Sequence, residues 1–264
     1  MSSTDQSNEI SADGVKRTPR GRGPGPVTFT ALVILVVAAG VFTIFAINHR
    51  SQQRQTSQLL RLSGIPSSVS TSLANLMALS PVPPKAAAPF TLIDQAGHHE
   101  SLSTFKGRVV VLDFMDTHCT DICPIVSQEF VDAYHDLGSL APHVIFLAIN
   151  VNKYHARVAD VAAFTQEHQL NTIPTWHFLT GSLPALQVAW HDYGIDVVAR
   201  GPNVDTLHSS LIFFIDPQGR ERYLGNPTDE HTASGASFLP ADQLSSWGNG
   251  ISLVAQSLIG GGSH

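Results

Sequence analysis

Val27 to Ile47, VTFTALVILVVAAGVFTIFAI, is a run of 21 residues without a single charge. As one helix it would extend about 32 Å, close to the thickness of a bilayer's hydrocarbon core. A cleavable signal peptide has a shorter apolar run, roughly 7 to 15 residues, with small residues at a cleavage site. Here Asn48, His49 and Arg50 follow the run instead. The expectation is therefore one uncleaved transmembrane helix over residues 27–47. Lys16, Arg17, Arg20 and Arg22 precede it, while Arg50, Arg54 and Arg61 follow at similar distances. That balance leans toward a cytoplasmic N-terminus, with the C-terminal portion on the extracytoplasmic side of a single-pass cell-membrane protein.

The rest of the chain divides around this run. Residues 1–26 are rich in Ser, Gly, Pro and charge, and read as a disordered cytoplasmic tail. Residues 48–88 end in SPVPPKAAA and read as a flexible stalk, although Leu59 to Leu79 holds enough leucine for a loose helix. Residues 89–259 read as one folded domain, and 260–264 as a C-terminal tail. The net charge of -6 has mixed signs in the C-terminal portion and no Lys/Arg run, which argues against a nucleic-acid partner.

Within 89–259, short apolar runs alternate with helical patterns. PFTLID, RVVVLDF, His143 to Val151, Trp176 to Leu179, Ser209 to Ile215 and Arg220 to Leu224 predict strands. Cys123 to Leu137, Arg157 to Leu170 and Ser182 to Tyr193 predict helices, as does Ala241 to Ile259 with an interruption near Gly248 and Gly250. Alternating strands and helices imply an α/β domain with a mostly parallel sheet, closed by an antiparallel hairpin about Asp216-Pro217-Gln218-Gly219.

Both cysteines of the chain lie in DFMDTHCTDICP, residues 113–124. The strand before them delivers Cys119 to its C-terminal end, where sites gather in open parallel sheets. A cysteine at a helix N-terminus is expected to favour thiolate over thiol. If the segment is helical, residues four apart share one face, with Cβ atoms about 5 to 6 Å apart. That spacing permits a metal clamp or, with adjustment, a disulfide. Two soft sulfurs favour Cu(I) or Zn over Mg or Ca and leave the shell one or two donors short. Two buried, inert thiols are the third reading.

The chain has 13 histidines, so abundance cannot choose the missing donor. His208, in DTLHSSLIFFIDPQG, immediately precedes a buried strand. If that strand runs antiparallel beside the cysteine-bearing one, its start lies near Cys119 and Cys123. The competing reading is an ordinary histidine at a strand start. His118, adjacent to Cys119, is the other candidate.

Together DFMDTHCTDICP, the buried strand before it and LHSSLIFFIDPQG resemble the Sco/SenC family of membrane-anchored copper proteins. The resemblance covers roughly residues 89–259 and implies a thioredoxin-like domain, with a central mixed sheet flanked by helices. It implies copper, Cu(I) or Cu(II), on Cys119, Cys123 and His208. The function it implies is delivery of copper to, or maintenance of the thiols of, the binuclear copper site in subunit II of cytochrome c oxidase. The alternative is a general extracytoplasmic thiol-disulfide oxidoreductase with Cys119 and Cys123 as its redox pair, and a peroxidase role is a third. The chain departs from the family pattern at Asn152, where Val-Asp-Pro is usual, and at Asp116 and His118.

Overall fold

The computed structural model describes residues 39–45 and 64–260. The chain forms two units, residues 1–53 and 54–264. In the first, residues 39–45 are helical and exposed. The remainder of the expected span, together with the tails at 1–26 and 261–264 and the start of the stalk, lies outside the described residues. Among the described residues no helix is long and apolar enough to cross a membrane.

Two apolar runs fix the centre of the second unit. Val109–Met115 (β4) and Val144–Asn150 (β5) are buried at every position and pair in parallel, from Val109 opposite Val144 to Met115 opposite Asn150. Strands covered on both faces need no polar alternation, which is why they appear in the sequence as continuous runs. Before them, in chain order, come α1 (Thr71–Leu76), β1 (Ser80–Ala86), β2 (Thr91–Ile93) and β3 (His99–Ser101). After β4 comes α2 (Ile122–Leu137), and after β5 come α3 (Val158–Glu167), β6 (Trp176–Leu179) and α4 (Leu183–Asp192). Two short strands follow, β7 (Val197–Val198) and β8 (Leu207–His208), then β9 (Ile212–Ile215), β10 (Arg220–Gly225), β11 (Glu230–His231), β12 (Ser237–Phe238) and α5 (Ala241–Ile259).

The central sheet has the order β1-β10-β9-β4-β5-β6. β4, β5 and β6 are parallel, whereas β9 runs antiparallel to β4, β10 to β9 and β1 to β10. The sheet is therefore mixed rather than mostly parallel, because β1 extends the antiparallel half. One face is covered by α1, α2, α3 and α5, with Phe130, Phe164, Trp247 and Val254 in its core. The other is covered by α4 and the β2–β3 hairpin, with Phe105, Leu112, Leu186 and Trp190.

Two sequence expectations change. The flexible stalk does not reach residue 88: from Gly64 onward the chain belongs to the domain. Ile65, Val69, Ala74, Met77 and Leu79 are buried, and β1 pairs with β10 as an edge strand. The prolines that read as linker are tolerated there because an edge strand leaves one row of N–H groups unpaired. Nor is α5 interrupted at Gly248 and Gly250. A Cβ on Gly248 would stand 2.6 Å from the Asp132 Cβ of α2, and one on Gly250 would collide with Met77. Both glycines are notches for close packing.

The edge strand β6 is finished by a side chain. Gln95 donates from Nε2 to the Trp176 carbonyl (3.1 Å) and accepts from the Phe178 N–H at Oε1 (2.8 Å). Ile93 and Thr180 exchange backbone hydrogen bonds of 2.7 Å beside it. This fixes the β2–β3 hairpin against β6.

Candidate metal centre

β4 ends at Met115, and a tight loop carries the chain into α2, which begins at Ile122. Cys119 sits in that loop and Cys123 in the first helical turn. The Cys119 sulfur accepts the Cys123 backbone N–H at 3.3 Å. Both cysteines are free; Cys123 is buried and Cys119 half-buried. A hydrogen bond to the Cys119 sulfur and then burial push the Cys123 thiol well above its ordinary range, opposed by a backbone hydrogen bond from Asp116. The expected preference for thiolate at a helix N-terminus is thus overridden at Cys123. Its neighbour's sulfur and its desolvation are the largest causes.

Asp116, fully buried, organises the loop. Its Oδ1 accepts from the His118 N–H and from Asn152 Nδ2, both at 2.7 Å, and its Oδ2 accepts the Thr206 N–H at 2.6 Å. Asp205 adds a second clamp, its Oδ2 accepting from the Thr120 N–H (2.9 Å) and hydroxyl (3.0 Å). The segment leading into His208 is therefore fastened to the cysteine loop at two consecutive residues, 205 and 206. Asp116 and Asn152, two of the departures from the family pattern, bind each other. Asn152 in turn accepts the Tyr154 and His155 N–H groups. His118 is exposed and stacks on His155, with ring centroids 4.9 Å apart.

His208 belongs to the short β8, paired with Val197, and so precedes β9 by a few residues rather than opening it. Its Nδ1 lies 3.1 Å from the Ser209 carbonyl. A carbonyl can only accept, so Nδ1 carries the proton and Nε2 keeps a lone pair for a metal. Burial lowers its pKa, which keeps the ring neutral. The ring is nonetheless not closed on the cysteines. Among the described residues, the groups of three or more donors within 4.8 Å of one another are Asp94, Glu100 and His177, and Asp121, Asp229 and His231. Cys119, Cys123 and His208 are not such a group, so at least one pair of their donor atoms is more than 4.8 Å apart.

Sequence reasoning missed three acidic side chains here. Asp205 left no signal, since its partner Thr120 lies 85 residues away. Asp113 did leave one, as a lone acid within RVVVLDF. It is buried, one of its carboxylate oxygens has no hydrogen-bond partner, and desolvation pushes its pKa up to about 8. Glu129 of α2, also buried with neither oxygen hydrogen-bonded, is pushed well above the ordinary carboxylate range by burial and then by the charge of Asp113.

The SCO1/SenC family model matches residues 80–235, more than half of the chain and the whole of this centre. The chain belongs to the SCO1/SenC family. Among its relatives is the SCO1 protein homolog of Bacillus subtilis, 25% identical over 134 residues, covering 50% of this chain and 69% of that one. The solution structure of apo Sco1 from Thermus thermophilus is similar, with 23% identity and a TM-score of 0.50, over 67% of this chain and 93% of that one. ScoI of Bradyrhizobium japonicum, a structure with copper bound, matches at 23% identity and a TM-score of 0.47, over 52% of this chain and 87% of that one. The Sco fold, a thioredoxin-like α/β fold with a central mixed sheet, is the one described above.

Proposed function

We propose that this Sco-family chain is a membrane-anchored copper-binding protein. It delivers copper to, or maintains the thiols of, the binuclear copper site in subunit II of cytochrome c oxidase, with residues 27–47 as its anchor and the folded unit on the extracytoplasmic side. The observation that supports this most is the double clamp, Asp116 to Thr206 and Asp205 to Thr120, which fastens the His208 segment to the loop of Cys119 and Cys123. Two thiolates and a neutral imidazole suit Cu(I) in a trigonal shell, with room for a further donor to Cu(II). Copper is the cargo here. The chain's own work is to hold two sulfurs together, present Nε2 of His208 and release protons from the thiols on binding.

Cu(I) titration of the full chain in competition with a chromophoric chelator tests this reading. The full chain is needed because truncation at residue 88 would remove α1 and β1. Tight Cu(I) binding is expected in the parent, loss of it in Cys119→Ser/Cys123→Ser, and weakened binding in His208→Ala. Unchanged affinity in the double serine variant overturns the assignment.

One observation favours a second reading as a thiol-disulfide oxidoreductase: the Cys123 N–H is hydrogen-bonded to the Cys119 sulfur, which holds the two cysteines side by side. Cys119, the more accessible thiol, would attack a partner disulfide as thiolate and form a mixed disulfide. Cys123 would then lose its proton and resolve it, so that the partner gains two electrons and leaves as a dithiol while Cys119 and Cys123 become a disulfide. In that case His208→Ala leaves reductase turnover intact.

A further inference from the structure

On the opposite face of the sheet from Cys123, the β2–β3 hairpin and the edge strand β6 bring together Asp94, Glu100 and His177. One donor atom from each lies within 4.8 Å of the others. Asp94 is buried, with 5% of its side chain exposed, and its Oδ1 is committed to the hairpin turn, accepting the Ala96 and His98 N–H groups at 2.9 and 2.8 Å. Its Oδ2 faces two imidazoles: His177 Nδ1 at 3.7 Å and His98 Nδ1 at 3.5 Å. At 3.7 Å the His177 contact is beyond hydrogen-bond reach. Two atoms aimed into this space, Glu100 Oε2 and His177 Nδ1, are buried and have no hydrogen-bond partner.

Two carboxylates share a pocket, and among the described residues neither forms an ion pair with a lysine or arginine. Arg108 is close enough to be felt by His177, but it lies over the Phe105 ring at 5.9 Å and bridges to neither acid. The His177 ring is packed against Phe105, with centroids 5.0 Å apart, and its Nδ1 has no hydrogen-bond partner. Buried polar atoms without partners are the exception in folded proteins and call for an occupant.

We infer that Asp94, Glu100 and His177, with His98 as the fourth donor, form a binding site for a divalent transition-metal ion of the zinc type, separate from the cysteine centre. Imidazole nitrogen and carboxylate oxygen suit such an ion, which binds N and O at about 2.0 to 2.2 Å and keeps its ligands roughly 3.3 Å apart in a tetrahedral shell. The gaps of 3.5 and 3.7 Å around Asp94 Oδ2 are close to that separation, and the exposed His98 ring is free to swing in. The ion would neutralise both acids and clasp the hairpin to β6, where Gln95 and the Ile93–Thr180 pair already join them.

The test uses the full chain carrying Cys119→Ser/Cys123→Ser, so that thiols cannot take the metal, and titrates it with Zn²⁺ by calorimetry. One saturable site is expected, with a rise in Tm as zinc is added. His177→Gln removes a ligand and should weaken binding at least as much as the loss of a ligand's supporting partner does, about 10- to 100-fold. Glu100→Gln, on a half-exposed strand where folding is not at stake, should do the same. Without zinc, Glu100→Gln should melt near the parent's Tm, so that its loss of binding is not a loss of folding. No saturable site, or equal affinity in the parent and both variants because scattered surface histidines hold the zinc, overturns the assignment. Cu(I) affinity of the chain with both cysteines intact should be unaffected by Glu100→Gln, which separates this site from the cysteine centre.

Discussion

Asp113 and Asp116 lie three residues apart at the end of one strand and both are buried, yet their surroundings are opposite. Asp116 leaves the sheet and meets three N–H donors, from His118, Asn152 and Thr206. Asp113 points into the layer between β4 and α2, where its companion is another acid, Glu129, and one of its oxygens has no partner. Depth of burial therefore does not decide what a carboxyl does; the supply of donors does. The first acid joins distant segments of backbone, while the second keeps a proton in the interior.

Replacing the joining acid should have the largest effect. Asp116→Ala would orphan two buried donors, of Asn152 and Thr206, each costing about 1 to 3 kcal/mol, and the more exposed His118 N–H, so a loss of about 2 kcal/mol or more is expected in urea denaturation. Cu(I) affinity should fall with it, since Thr206 would no longer be tied to the loop. Asp116→Asn keeps one acceptor oxygen and should fall between the parent and the alanine variant. An alanine variant as stable as the parent would erase the contrast with Asp113.

The proton-holding acid should show itself through pH. The folded chain keeps the Asp113 proton to about pH 8, whereas the ordinary value is 3.8. Between these values the folded state binds a proton that the unfolded state has released, so stability falls as pH rises across the window. The slope is at most about 1.4 kcal/mol per pH unit from this group, and the loss is complete above the folded value. Asp113→Asn cannot ionise and should flatten the dependence of the urea midpoint on pH, gaining on the parent toward pH 8. Glu129 acts in the same direction, so some slope should remain. A variant whose pH dependence matches the parent's would show that Asp113 is not the group responsible.

The smallest effect is expected at the second clamp. Asp205 bonds the exposed Thr120, where water can replace it, so Asp205→Ala should cost about 1 kcal/mol and lower Cu(I) affinity by less than about tenfold. A loss as large as that of Asp116→Ala would mean that the two clamps act as one unit.

What the sequence reveals follows the range of the forces involved. Periodicity and turn residues mark β4, α2, β5, β6 and the β9–β10 hairpin to within a few residues, because those signals are local. The cysteine pair is legible for the same reason. The Asp116–Thr206 bond spans 90 residues and has no local trace. Two misreadings come from residues whose meaning depends on a neighbour elsewhere. Pro81, Pro83 and Pro84 resemble a linker until β10 is seen beside them. Gly248 and Gly250 resemble helix breaks until Asp132 and Met77 are seen to fill the space. For His208, strand topology names the right neighbourhood and misplaces the detail, since the histidine lies in β8 and not at the start of β9.

The two borders of the central sheet bear on how the protein behaves in a crowded solution. An exposed border of unpaired N–H and C=O groups is a template for another chain's strand, and so a starting point for aggregation. At one border, β1 carries three prolines within seven residues, none of which has an N–H to offer an incoming strand. At the other, the Gln95 amide occupies the Trp176 carbonyl and the Phe178 N–H, the groups such a strand would need. Both borders are thus closed to further growth, one by subtracting donors and the other by saturating them.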